Sequence, residues 1–190
     1  MQKILRYLLL ALVVVGCALP TFNKAEAARV AVLPVITNED AESYAVSRRV
    51  WNEQCTAIFK FPEFDIVDDS DMTVVLNKVN YEVVAKDGVN EALIRQVMTE
   101  TKADMGIMLV MDELKLEPEF PPTKGNYYRL SQKGNLLYVN NISGVVKKER
   151  ISDWDDYDYA LTIRGDFVHD QFRNTVIRSL KKVIKAKLAS

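Results

Sequence analysis

Residues 103–116 read ADMGIMLVMDELKL and carry the strongest strand signal in the chain. From Met105 to Met111 the residues are apolar without alternation, which is typical of a strand that is covered on both faces. After Asp112 the pattern changes, because Leu114 and Leu116 alternate with charged residues. Such alternation is typical of a strand with one face in water. We therefore predict a central strand whose second half projects toward solvent.

The segments before this strand predict a parallel sheet that is covered by helices. Residues 29–35 (RVAVLPV) and 64–67 (FDIV) are short strand-like runs, and the first of them is apolar enough to be buried on both faces. Helical periodicity and capping residues predict helices over residues 39–59, over residues 69–79 with Asp69 or Ser70 as the cap, and over residues 90–101. Alternating strands and helices favour parallel strand pairing.

The segments after the central strand predict an antiparallel extension. Strand patterns occur at 127–130 and 135–140 with Gly134 between them, and a turn at 141–144 leads to a returning strand at 145–151. Apolar residues at helical spacing predict a long final helix over 166–188. The predicted fold class is α/β (α+β). It has a mixed sheet of about five strands, parallel at the start with an antiparallel hairpin extension, flanked by helices and closed by a long C-terminal helix.

Residues 1–27 have the pattern of a secretory signal peptide. Lys3 and Arg6 precede the apolar run YLLLALVVV at 7–15, and Pro20 follows it. The run is shorter than the roughly 20 residues of a membrane span. We therefore predict an exported protein, periplasmic or extracellular, with a signal peptide at 1–27 and a single domain at 28–190. An uncleaved membrane anchor is the alternative.

Two processing sites compete within this leader. Ala25-Glu26-Ala27 before Ala28 fits signal peptidase, whereas VVGC at 14–17 resembles a lipobox that would lipidate Cys17. The first site releases the domain at the start of its first strand. The second leaves a tether of about 11 residues between the lipid and the domain. Both alternatives stay open, and the predicted contact with the membrane is limited to a lipid anchor at Cys17.

The charge of the mature chain disfavours a role in binding nucleic acid. The full sequence has 25 basic and 26 acidic residues, and the leader holds three of the basic residues and one of the acidic residues. The remaining 22 basic and 25 acidic side chains give a formal charge of −3. A general nucleic-acid binder carries a basic face or stripe, so we expect no nucleic-acid partner.

Few residues could support catalysis or metal binding. The mature domain has one histidine, His169, and one cysteine, Cys55, which we predict to be a buried apolar side chain. His169 is predicted to lie at the start of the final helix. The acidic run at 153–158 lacks the glycine and the final glutamate of a calcium loop. We therefore expect no enzyme activity, no catalytic residue, no cofactor and no metal site.

Two sets of side chains are candidates for contact with a partner. The first is the aromatic set Trp154, Tyr157 and Tyr159 within an acidic stretch, since exposed aromatic residues are enriched at interfaces. The alternative is a loop whose aromatic residues cover the core. The second set is basic and belongs to the final helix. We interpret this set as a solvated face, and contact with anionic lipid or a cell-wall polymer is the alternative. The set consists of Arg178, Lys181, Lys182, Lys185 and Lys187.

Four motifs together resemble a bacterial envelope superfamily. They are VAVLPV at 30–35, FDIVDD at 64–69, ADMGIMLVMDEL at 103–114 and NLLYVNNISGVVKKERI at 135–151. Members of this superfamily include the curli-secretion lipoproteins, the amino-terminal domain of TolB, and lipoprotein activators of peptidoglycan synthases. Met111-Asp112 stands where the family pattern has glycine after the central strand, so the resemblance holds at superfamily level.

This resemblance spans about residues 29–185 and implies a non-catalytic envelope domain. It implies action by protein–protein interaction, with an envelope protein partner or by self-association, and it transfers no catalytic residue. The alternative function is a small-ligand or cell-wall-polymer binding domain.

Overall fold

The computed structural model describes residues 27–38, 41–60, 62–118, 127–158 and 167–184. Within these ranges, strands and helices follow one another in the predicted order, with one additional short helix, Tyr81–Val84, that was not predicted. The elements are β1 (Ala28–Val32), α1 (Ala41–Ile58), β2 (Phe64–Ile66), α2 (Asp69–Lys78), α3 (Tyr81–Val84), α4 (Glu91–Thr101), β3 (Met105–Pro118), β4 (Tyr127–Asn140), β5 (Val145–Asp158) and α5 (Phe167–Ile184), with a 3₁₀ turn at Ala85–Asp87.

The strands form one mixed sheet in the order β2-β1-β3-β4-β5. β1 pairs in parallel with both β2 and β3, whereas β4 pairs antiparallel with β3 and with β5. The predicted fold class is confirmed, including the central position of β3. β5 and the three-residue β2 are the two edge strands among the described residues.

The sheet separates two apolar layers. On one face, α1 and α5 bring Trp51 and Phe172 against the strands. On the other face, α2 and α4 bring Val75 and Ile94 against them. Met105–Met111 is buried along its whole length because both layers cover it. The unbroken apolar pattern of this segment is therefore explained by helices on both sides.

A β-bulge marks the point at which one of these layers ends. The register of β3 against β4 shifts between Met111 and Glu113, opposite Gly134. A Cβ atom at Gly134 would lie 2.4 Å from the carbonyl oxygen of Val110, so only glycine fits this close approach. Beyond the bulge the described strand residues of β3 alternate between buried and solvent-facing side chains, as the sequence predicted.

Three local predictions were wrong. β4 does not break at Gly134, because the glycine permits the close approach of β3 without interrupting the ladder. β5 does not end at Ile151 but runs to Asp158, paired with β4 throughout. The N-cap of α2 is Asp68, without a side-chain capping bond, instead of Asp69 or Ser70.

Candidate partner-binding surface

The strand segments beyond the bulge expose one face, which we call the hairpin face. Leu114, Leu130 and Ile151 point into the layer of α1 and α5. Their strand neighbours point the opposite way, because side chains alternate along a strand. The layer of α2 and α4 reaches only to Val110 on β3 and Leu137 on β4. The hairpin face is thus open to solvent among the described residues, and it comprises Glu113, Lys115, Arg129, Ser131, Lys133, Ser152, Trp154 and Asp156.

Trp154 is the large apolar side chain of the hairpin face. It lies opposite Ser131 in the ladder and is 63% exposed. The guanidinium of Arg129 lies 4.7 Å from the centre of its ring, within cation–π range. Arg129 also donates two hydrogen bonds to Asp156, of 2.9 Å from Nε and 3.2 Å from Nη2. This two-point contact fixes the guanidinium plane, so the tryptophan ring is held in place before any partner arrives.

Paired charges surround this aromatic group. Lys133 Nζ lies 2.7 Å from a carboxylate oxygen of Glu113 across the β3–β4 ladder. The hydrogen bond from Lys133 lowers the pKa of Glu113. On β3 itself, the contact with Glu117 raises the pKa of Lys115. The charges of the hairpin face are therefore largely compensated, and they leave Trp154 as its distinguishing group.

The sequence-predicted partner residues are only partly within the described structure. Trp154 projects to solvent from a strand, whereas the alternative interpretation expected it to lie in a loop and cover the core. Tyr157 lies in β5 opposite Tyr128, and its side chain is outside the described part of the chain. Tyr159 and Cys17 also lie outside the described residues. Their roles stay predictions.

Two basic side chains of the final helix form ion pairs with carboxylates of β5. Arg178 Nη2 lies 2.6 Å from Asp153, and Lys182 Nζ lies 2.5 Å from Glu149. Both carboxylates belong to β5, so these pairs tie α5 to the edge strand. No local pattern in the sequence predicts this pairing, because it depends on which face of β5 turns toward α5. Lys185 and Lys187 lie outside the described residues.

A concave region lies at the opposite edge of the sheet, away from the hairpin face. An open groove of about 1110 Å³ runs between α1 and β2, with Arg48 and Asn52 on one wall and Asp65 on the other. Phe59 and Phe64 meet edge to face at its base, with ring centres 5.3 Å apart. Sequence reasoning missed this groove, although the pair of phenylalanines that flanks the α1–β2 connection was visible.

The cysteine and the histidine of the described residues lie in structural positions. Cys55 is fully buried in the layer of α1 and α5, as predicted, and burial raises the pKa of its thiol well above the usual value. A thiol in this state is a poor nucleophile. His169 lies in the first turn of α5, as predicted, and its buried Nδ1 has no hydrogen-bond partner among the described residues.

Two absences hold within the described ranges, one of metal-binding clusters and one of helices that could cross a membrane. No group of three or more histidine, cysteine, aspartate or glutamate side chains is placed there to hold a metal ion. None of the helices within these ranges combines the length and the apolar character needed to cross a membrane.

Comparison with known proteins gives likeness in fold. No family model matches the sequence, and no curated protein matches it. The structure is similar to the hypothetical protein CT253 from Chlamydia trachomatis, with a TM-score of 0.51 and 11% identity over 84% of this chain and 99% of that one.

Two bacterial lipoproteins are more distant structural neighbours. Lipoprotein GNA1162 from Neisseria meningitidis has a TM-score of 0.41 and 12% identity, covering 77% of this chain and 99% of its own. Rare lipoprotein B from Shewanella oneidensis has a TM-score of 0.43 and 12% identity, covering 84% and 96%. At such identities a likeness establishes the fold alone. The solved structures to which this chain is similar thus include two described as bacterial lipoproteins.

Proposed function

We propose that this chain is an exported, non-catalytic envelope protein that acts by binding another protein through the hairpin face. The leader at 1–27 supports export, and the four sequence motifs support membership of an envelope superfamily. The observation that carries the proposal is the exposure of Trp154 on a rigid strand, with Arg129 held against its ring.

The chemistry of this surface suits protein recognition. Tryptophan and arginine are the side chains most enriched among residues that dominate binding energy at interfaces. Because Arg129 is fixed by Asp156, little conformational freedom remains to be lost when a partner covers the ring. The paired charges around Trp154 suit the polar rim that surrounds such an anchor.

Affinity capture from envelope extracts tests this proposal. The full chain carrying Trp154→Ala should retain at most about a tenth of the partner captured by the unmodified chain, since loss of an anchor residue costs about 2 kcal/mol or more. Val74→Ala is the matched control, because Val74 is 69% exposed on α2, outside the hairpin face. Equal capture by the unmodified chain and Trp154→Ala would refute the role of the hairpin face.

Processing of the leader belongs to the same proposal. Cleavage between Ala27 and Ala28 releases the domain, whereas lipidation at Cys17 tethers it to the membrane. The intact mass of the mature protein from its native cell distinguishes the two. We propose release, because Ala28 is also the first residue of β1 and the cut would fall at the edge of the fold. A mass that includes Cys17 and its acyl chains would contradict release.

The groove between α1 and β2 favours a second candidate function, the binding of a small ligand or a cell-wall polymer. The partly exposed ring of Phe64 offers apolar surface in the groove, and Arg48 and Lys60, which also line it, offer positive charge. Thermal unfolding of the full chain with cell-wall fragments tests this function. A ligand at 100 times its dissociation constant should add about 2.7 kcal/mol of stability, and an unchanged midpoint across the fragments would count against it.

A further inference from the structure

β5 is an edge strand with an unusually long open side. It contains 14 residues, and among the described residues no strand pairs with its outer edge. The other edge strand, β2, contains three residues. An open edge of this length presents a row of backbone donors and acceptors that can pair with another strand.

The charges along β5 are divided between its two halves. The first half carries Lys147, Lys148 and Arg150, and none of these forms an ion pair with another described residue. The second half is acidic, and Asp155 is exposed there without a cation from the described part of the chain. The strand therefore has a basic half and an acidic half along one open edge.

We propose that this edge pairs with the same edge of a second copy, antiparallel, with Ile151 on the twofold axis. The pairing goes beyond the proposed function, because it uses the open edge of β5 and not the hairpin face, and it names a second copy of this chain as the occupant of that edge. In this register Lys147 lies opposite Asp155, and Lys148 lies opposite Trp154. Directly opposed residues must lie on the same face of the sheet. Both pairs meet this condition, because side chains alternate along β5 and the members of each pair are an even number of residues apart.

The remaining positions of this register are also compatible. Ile151 is 4% exposed and belongs to the layer of α1 and α5, so two copies side by side continue that apolar layer across the axis. Glu149 would lie opposite Asp153, and each of these carboxylates already has its own cation, Lys182 or Arg178, on α5. The two carboxylates that face each other are therefore each neutralised by a cation of α5.

The same charges disfavour parallel pairing of this edge. In a parallel arrangement in register, each lysine of the first half would meet its own copy, and like charges directly opposite one another are destabilising. Antiparallel pairing about a twofold axis makes the contact self-complementary, and it closes with two copies. The charge pattern thus favours antiparallel over parallel pairing, and a closed twofold contact leaves no free β5 edge to which further strands could add.

Sedimentation velocity on the exported and processed full chain tests the inference. We expect a dimer for the unmodified protein. Lys147→Glu and Asp155→Lys should each weaken dimerisation about tenfold or more, because each change turns two symmetry-related attractive pairs into repulsive ones. The double variant Lys147→Glu/Asp155→Lys should restore the dimer, since it exchanges the two charges. Lys60→Glu, an exposed position near the opposite edge, is the control and should leave the dimer unchanged.

Melting curves by circular dichroism establish that each variant is folded before its mass is compared. A monomeric unmodified chain would overturn the inference, as would single variants that dimerise normally or a double variant that stays monomeric. A monomer that still captures an envelope protein through Trp154 would leave the proposed function standing. A monomer that captures no envelope protein would contradict both the pairing of β5 edges and the proposed function.

Discussion

The two halves of the sheet place the same residue type, tryptophan, in different environments. In the half that contains β1 and the first part of β3, helices cover both faces, and Trp51 is fully buried with its Nε1 donating a 2.8 Å hydrogen bond to the carbonyl of Leu33. In the half beyond the bulge, helix α5 covers one face only, and Trp154 is 63% exposed. The covered half supplies stability, and the open half supplies a surface that a partner can reach.

Replacement of Trp51 by alanine should have the largest effect on stability. The change removes a fully buried aromatic side chain and leaves the carbonyl of Leu33 without its donor, so we expect a loss of about 3–5 kcal/mol. Urea unfolding followed by circular dichroism measures it. Trp154→Ala is the matched control and should cost about 1 kcal/mol or less. Similar losses at the two positions would remove the distinction between the halves.

Gly134→Ala should disturb the junction of the halves. The added Cβ would meet the carbonyl oxygen of Val110, a backbone atom that cannot move without shifting β3. We expect a loss of about 1–3 kcal/mol, the usual range for overpacking. The midpoint of urea unfolding again provides the measurement. Gly88→Ala tests strain from a positive φ alone, because its Cβ would have no atom within 4 Å. An unchanged midpoint for Gly134→Ala would mean that the bulge does not need glycine.

Cys55 makes the covered half sensitive to alkaline pH. Because burial raises the pKa of the Cys55 thiol, the folded state favours the protonated form. Its contribution is fully present below the unfolded pKa of about 8.5, and it is lost as the pH rises, by up to about 1.4 kcal/mol per pH unit. Unfolding free energies measured from pH 7 to pH 10 should therefore fall.

The matched variant Cys55→Ala should show a shallower alkaline decline, even though it is less stable at pH 7. The folded thiol should also resist a water-soluble thiol reagent until urea unfolds the chain. Rapid labelling of the folded protein, or identical pH slopes for the two proteins, would contradict the buried and protonated state.

Arg129→Lys should have the smallest effect on stability and a clear effect on binding. Lysine keeps the charge but loses the two-point contact with Asp156 and the flat stacking on Trp154. Exposed pairs of this kind contribute about 1 kcal/mol or less, so the unfolding midpoint should hardly move. Partner capture should fall severalfold, and Arg173→Lys on α5 should leave it unchanged. Full capture by Arg129→Lys would show that a fixed guanidinium is not needed.

The sequence predicted the covered half better than the open half. Continuous apolar residues over Met105–Met111 and helical spacing in α1 and α5 are local patterns, and they led to the correct order of elements. The continuity of β4 through Gly134 and the reach of β5 to Asp158 depend on contacts between distant residues. The Arg129–Asp156 pair, for example, joins positions 27 residues apart.

The candidate functional surfaces, like the fold, could be predicted from the sequence only in part. Trp154 was singled out by residue type, but its exposure could not be predicted, since this depends on where the layer of α2 and α4 ends. The groove between α1 and β2 was missed because it forms between two elements whose relative placement no local pattern specifies.

Site-specific photo-crosslinking in living cells tests the central claim most directly. A photoreactive phenylalanine analogue is placed at position 154 on the hairpin face or at position 74 on α2, which have similar exposure. We predict that illumination yields a discrete adduct with an envelope protein or a second copy from position 154, and none from position 74. No adduct from position 154, or equal adducts from both positions, would contradict the assignment of partner binding to the open half of the sheet.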